Sequence, residues 1–200
     1  MKSFLFAPLL LLAVPAWADG PPADPDWPCI QRKVGTISPG MVWNGPDLAA
    51  AGPWDQDFKA AELAQKLASR RTPIEDADGL IDAFAAEAGA EKQLRLTRVF
   101  AGVLELVNTE RDRVIAGITR YARGQSHLAE RIRDESDKVS DAKDAPNAPV
   151  SDEIRQLEDQ LKWDTRIFEE RRKSLTYVCE TPQILERRAF EIARRIQDKL

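Results

Sequence analysis

The stretch that decides the fold runs from Val114 to Val178: VIAGITRYARGQSHLAERIRDESDKVSDAKDAPNAPVSDEIRQLEDQLKWDTRIFEERRKSLTYV. Within it, Val114, Ile118, Tyr121, Gln125, Leu128, Ile132, Glu135 and Val139 are spaced 4, 3, 4, 3, 4, 3, 4. That is the seven-residue repeat of a coiled-coil seam. A second stripe, Ile154, Leu157, Leu161, Asp164, Phe168, Arg171, Leu175 and Val178, repeats it with spacings 3, 4, 3, 4, 3, 4, 3. Between the stripes, Pro146 and Pro149 exclude helix from Asp144 to Val150, and Ser151 is a good N-cap for the second helix. A tight turn near Asn147 therefore lays the two helices antiparallel. Val139 then meets Leu157, Ile132 meets Leu161, Leu128 meets Phe168, Tyr121 meets Leu175, and Ile118 meets Val178.

Towards the N-terminal side of the first seam the stripe widens. Leu94, Leu96, Val99, Phe100, Val103, Leu104, Leu106 and Val107 cover more than one helical face, so several helices should surround that segment. Asp55 to about Arg70 carries Phe58, Ala61, Leu63, Ala64 and Leu67 at helical spacing. Thr72-Pro73-Ile74-Glu75 reads as a capped start with a capping box, opening a helix that continues to about Gly89. Thr181-Pro182 marks a kink or break, after which residues 183–199 form a C-terminal amphipathic helix. The expected fold is all-α: a helical-bundle root over 55–200 bearing a projecting antiparallel coiled-coil hairpin, 91–144 against 151–180. An arm of about 25 residues per helix would extend ~35–40 Å. The polar seam residues Gln125, Glu135, Asp164 and Arg171 make that arm only marginally stable. A compact up-down bundle with the arm folded against the root is the alternative.

Residues 19–54 differ from the rest. They hold seven prolines, five glycines and Trp27, Trp43 and Trp54. Proline at that density excludes long helix, while exposed tryptophans would gain nothing in a disordered leader. The segment is expected to be an extended Pro/Gly/Trp-rich arm lying on the helices. Ahead of it, Met1-Lys2-Ser3, the apolar run Phe4–Val14 and Ala16-Trp17-Ala18 match a signal peptide over 1–18. The apolar run is too short to span a bilayer as a retained anchor. The mature chain is thus expected in a bacterial periplasm, with no stable membrane insertion. There, Cys29 and Cys179 most simply form one internal disulfide, two free thiols or an intermolecular bridge being the alternatives.

Charge and motifs narrow the function. The full chain is net −4; loss of residues 1–18 removes one lysine and no acid, giving −5. A tail of +3 over residues 162–200 is weak reason to expect nucleic acid, and none is expected as partner. His127 is the lone histidine, so a histidine-based metal site or nucleophilic triad lacks its partners. No glycine-rich phosphate loop and no Cys-x-x-Cys occur. No metal and no cofactor are expected, and the chain is read as no enzyme.

The outline of a root bearing a helical hairpin is similar to that of periplasmic chaperones and of cell-wall-enzyme activators, a likeness of architecture alone. Holdase chaperones of that shape, as the resemblance implies, are basic and trimeric, whereas this chain is acidic. The reading preferred is a non-catalytic periplasmic accessory or adaptor protein that binds another envelope protein. The alternatives are a holdase-type chaperone and an enzyme acting on the cell wall through a glutamate, with Glu75, Glu87, Glu105 and Glu110 nearest the root. Trp27, Trp43, Trp54 and Trp163 are the candidate contact residues. Trp43 and Trp54 can equally serve to pack the arm. Trp163 sits beside the seam on the thin hairpin, where burial is hardest, and is the stronger candidate.

Overall fold

A computed structural model describes Asp24, residues 26–144 and residues 151–200. The segment 1–18 read as a signal peptide and the turn expected at Asn147 lie outside those residues. Among the described residues every regular element is helical: α1 (Pro39–Val42), α2 (Phe58–Ala68), α3 (Ala77–Ala88), α4 (Lys92–Asp144) and α5 (Asp152–Gln197), with single 3₁₀ turns at Trp54–Gln56, Ile74–Asp76 and Gly89–Glu91. At 1.5 Å per residue the 53 residues of α4 and the 46 of α5 extend roughly 80 and 70 Å.

The core sits at one end. Leu63, Ala64 and Leu67 of α2, Ile81 and Phe84 of α3, Leu96, Phe100, Val103 and Val107 of α4, and Leu185, Ala189, Ile192 and Ile196 of α5 form one buried cluster. Each large side chain there contributes about 1.5–3 kcal/mol by leaving water. Local chemistry sets the short helices. Asp57 caps α2 by accepting the Ala60 N–H at 3.1 Å, and its carboxylate also takes two N–H groups of Arg95 at 2.7 and 2.9 Å. At the other end of α2, Arg188 donates to the Leu67 carbonyl at 2.7 Å and to the Thr72 carbonyl at 2.9 Å. A cation on the last carbonyls of a helix satisfies acceptors that have no intrahelical donor. The capping box expected of Thr72 and Glu75 does not form; the chain enters α3 through the 3₁₀ turn instead, with Asp76 N–H on the Pro73 carbonyl.

Beyond Val107 the wide apolar surface narrows to a single stripe. Ile118, Leu128, Glu135 and Val139 of α4 are buried towards α5, which answers with Asp164 and Cys179. The antiparallel register follows the one expected: Tyr121 OH donates to the Arg171 carbonyl at 2.8 Å, Gln125 Nε2 to the Phe168 carbonyl at 3.2 Å, and Arg131 Nε to Asp164 at 2.7 Å. Two particulars differ. The seam leaves the expected Val178, which is 40 % exposed, and continues through buried Cys179. Two successive steps of four, Arg171 to Leu175 to Cys179, locally unwind a seven-residue repeat. Of the kink or break expected at Thr181-Pro182, the break does not occur, since α5 runs through Pro182. Proline removes one helical hydrogen bond and crowds the carbonyl four residues earlier. Here tertiary contacts on both sides hold the helix: Cys179 is bridged, Pro182 and Leu185 are buried, and the Pro182 carbonyl accepts from Arg111 at 3.2 Å.

The N-terminal arm is extended as expected apart from α1, which begins at Pro39, the one helical position where proline is favoured. Gly102 makes room for it: a Cβ there would lie 2.7 Å from the Trp54 ring and 2.9 Å from Ala64.

Candidate interaction surfaces

The arm is held by side chains of α4 that replace a strand edge. Asn108 accepts the Ile37 N–H at 2.9 Å and donates to the Ile37 carbonyl at 3.0 Å, so one side-chain amide satisfies one backbone residue completely. One turn later, Arg111 is 1 % exposed. Its guanidinium donates to the carbonyls of Gly35, Val34 (3.3 Å) and Pro182 (3.2 Å) and lies 3.6 Å from the Glu186 carboxylate. Burial pulls the Arg111 pKa down, against the pull of Glu186 and Asp112. Further along, Arg98 donates to the Ala51 carbonyl at 2.8 Å, and Gln197 to the Val42 carbonyl at 3.4 Å. At the arm's start a disulfide joins Cys29 to Cys179 with Cα atoms 5.5 Å apart. Arg123 pairs with Asp26 at 2.6 Å nearby.

This clasp decides which tryptophans are available. Trp43 is 7 % exposed, stacks on Phe100 with centroids 4.4 Å apart, and donates its indole N–H to the Pro46 carbonyl at 2.7 Å. It is a core residue, which removes it from the contact candidates. Trp54 is half-buried over Gly102 and donates to Glu105 at 2.8 Å. Trp27, also half-buried, donates to the Gln31 carbonyl at 2.7 Å with Lys33 over its ring. All three pack the arm. Trp163 stands apart: on α5 beside the seam, it is 58 % exposed.

Its surroundings are polar. Asp164, 2 % exposed, is the neighbour that turns into the seam, where Arg131 binds it. The guanidinium's hydrogen bond holds the Asp164 carboxyl below the usual aspartate range, outweighing burial. Asp57 is depressed in the same way by the Arg95 hydrogen bond. Glu135, buried beside this pair, lies 3.9 Å from Arg131.

Several clefts open on the root. One of about 580 Å³ lies between α2, α4 and α5, lined by Gln65, Arg70, Leu106, Glu110 and Leu185. One of about 340 Å³ lies between α1 and α5, where Met41 and Phe190 are exposed. A third, of about 300 Å³, lies against the disulfide between Trp27, Arg111 and Pro182. The glutamates nearest the root do not converge: Glu87 pairs with Lys59, Glu105 accepts from Trp54, and Glu110 faces Arg113 at 3.8 Å. Among the described residues no group of three His, Cys, Asp or Glu side chains could hold a metal ion. No helix among them is long and apolar enough to cross a membrane. No family model, curated protein or solved structure matches the chain.

Asn108 and Arg111 are the residues sequence reading missed. Arg111 had a signal, since it lies on the stripe continued backwards from Ile118 through Val114 to Val107 at spacings of 4, 3 and 4. An arginine on such a stripe must find acceptors inside. Asn108 lies off the stripe, and nothing in its neighbours marks it.

Proposed function

We propose that the chain is an exported, non-catalytic accessory protein of a bacterial envelope that acts by binding protein through its helical hairpin. The observation that carries this is Trp163, a large aromatic left 58 % exposed on a two-helix arm outside the core. Aromatic side chains of this kind are enriched among the residues that dominate interfaces. The disulfide supports an oxidising compartment, and the signal-like first eighteen residues support export to a periplasm. The scattered root glutamates, with Glu87, Glu105 and Glu110 each engaged with a different neighbour, favour binding over hydrolysis.

The test is a pull-down from an envelope extract with the mature chain and with Trp163→Ala. Loss of specific bands from the variant supports the reading, provided its helical content and unfolding midpoint match the parent. Identical profiles refute it.

A further inference from the structure

The two edges of the hairpin are unlike. Positions just after seam residues lie on one edge, where Lys143 and Glu158 pair at 2.6 Å and Ile115 borders the cleft beside Trp27. The arm occupies this edge at the neck. Positions just before seam residues lie on the opposite edge, which carries Trp163 and half-buried Ile167 on α5. That edge has no neighbour in the described chain.

Charge divides the hairpin across its length rather than its width. The antiparallel register puts Trp163 level with Ile132. The distal half, residues 133–144 and 151–162, holds 5 basic and 9 acidic residues. The proximal half, residues 116–131 and 164–179, holds 7 basic and 4 acidic. The arm segment over the neck adds Asp24, Asp26, Arg32 and Lys33, which cancel. In sequence, Trp163 stands sixteen residues from Asn147 and sixteen from Cys179 at the neck. The hairpin is therefore a rod with a negative half and a positive half, and an exposed tryptophan at the midpoint.

We propose that the occupant of the Trp163 edge is a second copy of this chain, packed antiparallel about a two-fold axis at the level of Trp163. This rests on the reading that the hairpin binds protein, and it names the partner. Such an axis sets Trp163 against the partner's Trp163 and lays the negative half of each rod along the positive half of the other. Self-complementarity of this kind is what a two-fold interface requires. Arg120 on the proximal half then comes within reach of the partner's Asp141; both are exposed, and among the described residues neither forms an ion pair. The axis also sets Asp152, where α5 begins, level with the partner's Ser174, short of the partner's root. Two helices side by side over about 30 residues present a face of roughly 45 by 18 Å, about 800 Å² per copy, which matches a standard specific interface.

The experiment is sedimentation velocity of the intact mature chain from 1 to 100 µM, read together with the tryptophan emission maximum. A dimer is expected, weakened about thirtyfold or more by Trp163→Ala. Arg120→Glu and Asp141→Arg should each weaken it, and the double variant should restore it. A mass equal to one chain across the range overturns the proposal. So does a dimer that Trp163→Ala leaves intact, or a charge-reversed double variant no tighter than its singles. A monomeric chain whose capture of a different envelope protein depends on Trp163 overturns self-association while leaving the binding function standing.

Discussion

Replacing Arg111 by methionine should release the arm from the root. The guanidinium is 1 % exposed and donates to the carbonyls of Val34, Gly35 and Pro182. Methionine keeps much of the length and apolar stem but leaves the Val34 and Gly35 carbonyls of the arm without that donor, while the Pro182 carbonyl stays within the helical ladder of α5. An acceptor left buried and unpaired costs about 1–3 kcal/mol, so two cost up to several. Against this stands relief from burying a cation, whose ion-pair partner Glu186 is 3.6 Å away and partly exposed. The balance is a loss of about 2–4 kcal/mol, because carbonyls of the freed arm can turn to water. With a urea dependence near 2 kcal/mol per molar, the midpoint should fall by about 1–2 M. The local signature is sharper: the Ile37 amide, which donates to Asn108, should exchange with deuterium much faster while amides of Phe100 and Val103 stay protected. A variant with the parent midpoint and a protected Ile37 amide would refute the assignment of Arg111 as the arm's anchor.

The same contacts set two further outcomes. Removing the bridge with Cys29→Ser and Cys179→Ser opens a loop of 150 residues, which costs up to about 5 kcal/mol in the chain-entropy picture. Urea unfolding of that variant should agree with the reduced parent, and equal stability of reduced and oxidised parent would rule out a stapling role. Asp164 and Asp57 have folded pKa values below the ordinary aspartate value of 3.8, held there chiefly by Arg131 and Arg95. Their contribution is therefore complete above the unfolded value and is lost as pH falls through it towards the folded value. The stability gap between parent and Asp164→Asn should be widest near neutral pH and close below about pH 4; a gap constant with pH would contradict the ion pairing.

The hairpin was legible because it arises from periodicity, and periodicity is local: one seven-residue repeat, two prolines and a second repeat determine partner, direction and register together. The disulfide was legible from compartment and cysteine count. That α5 would stay continuous through Pro182 was not legible, because the cost of proline in a helix is intrinsic, whereas its tolerance here comes from a bridge at Cys179 and burial at Leu185, both set by tertiary packing. The shift of the seam from Val178 to Cys179 has the same origin: the covalent bond to the arm selects which residue turns inward. Thr72 and Glu75 had the residue types of a capping box, yet the Thr72 carbonyl is taken by Arg188 from α5, 116 residues away. The three tryptophans of the arm could not be sorted by sequence. Whether an indole in a proline-rich segment packs or binds depends on what lies under it. Phe100 lies beneath Trp43, and Gly102 leaves the gap that Trp54 fills.

Every surface assigned to the hairpin depends on α4 and α5 leaving the root together as one straight arm, and a single distance tests that most directly. Native cysteines are consumed by the bridge, so spin labels can be placed through new cysteines at exposed Ala86 on α3 and Lys138 near the tip. Phe84 lies against Arg95, which puts Lys138 forty-three residues along α4 from the root label, about 65 Å at 1.5 Å per residue. Pulsed dipolar spectroscopy on labelled protein diluted with unlabelled should return a narrow distribution near that distance. A distribution centred below about 40 Å, as an arm folded onto the root would give, would contradict the projecting hairpin and the surfaces assigned to it.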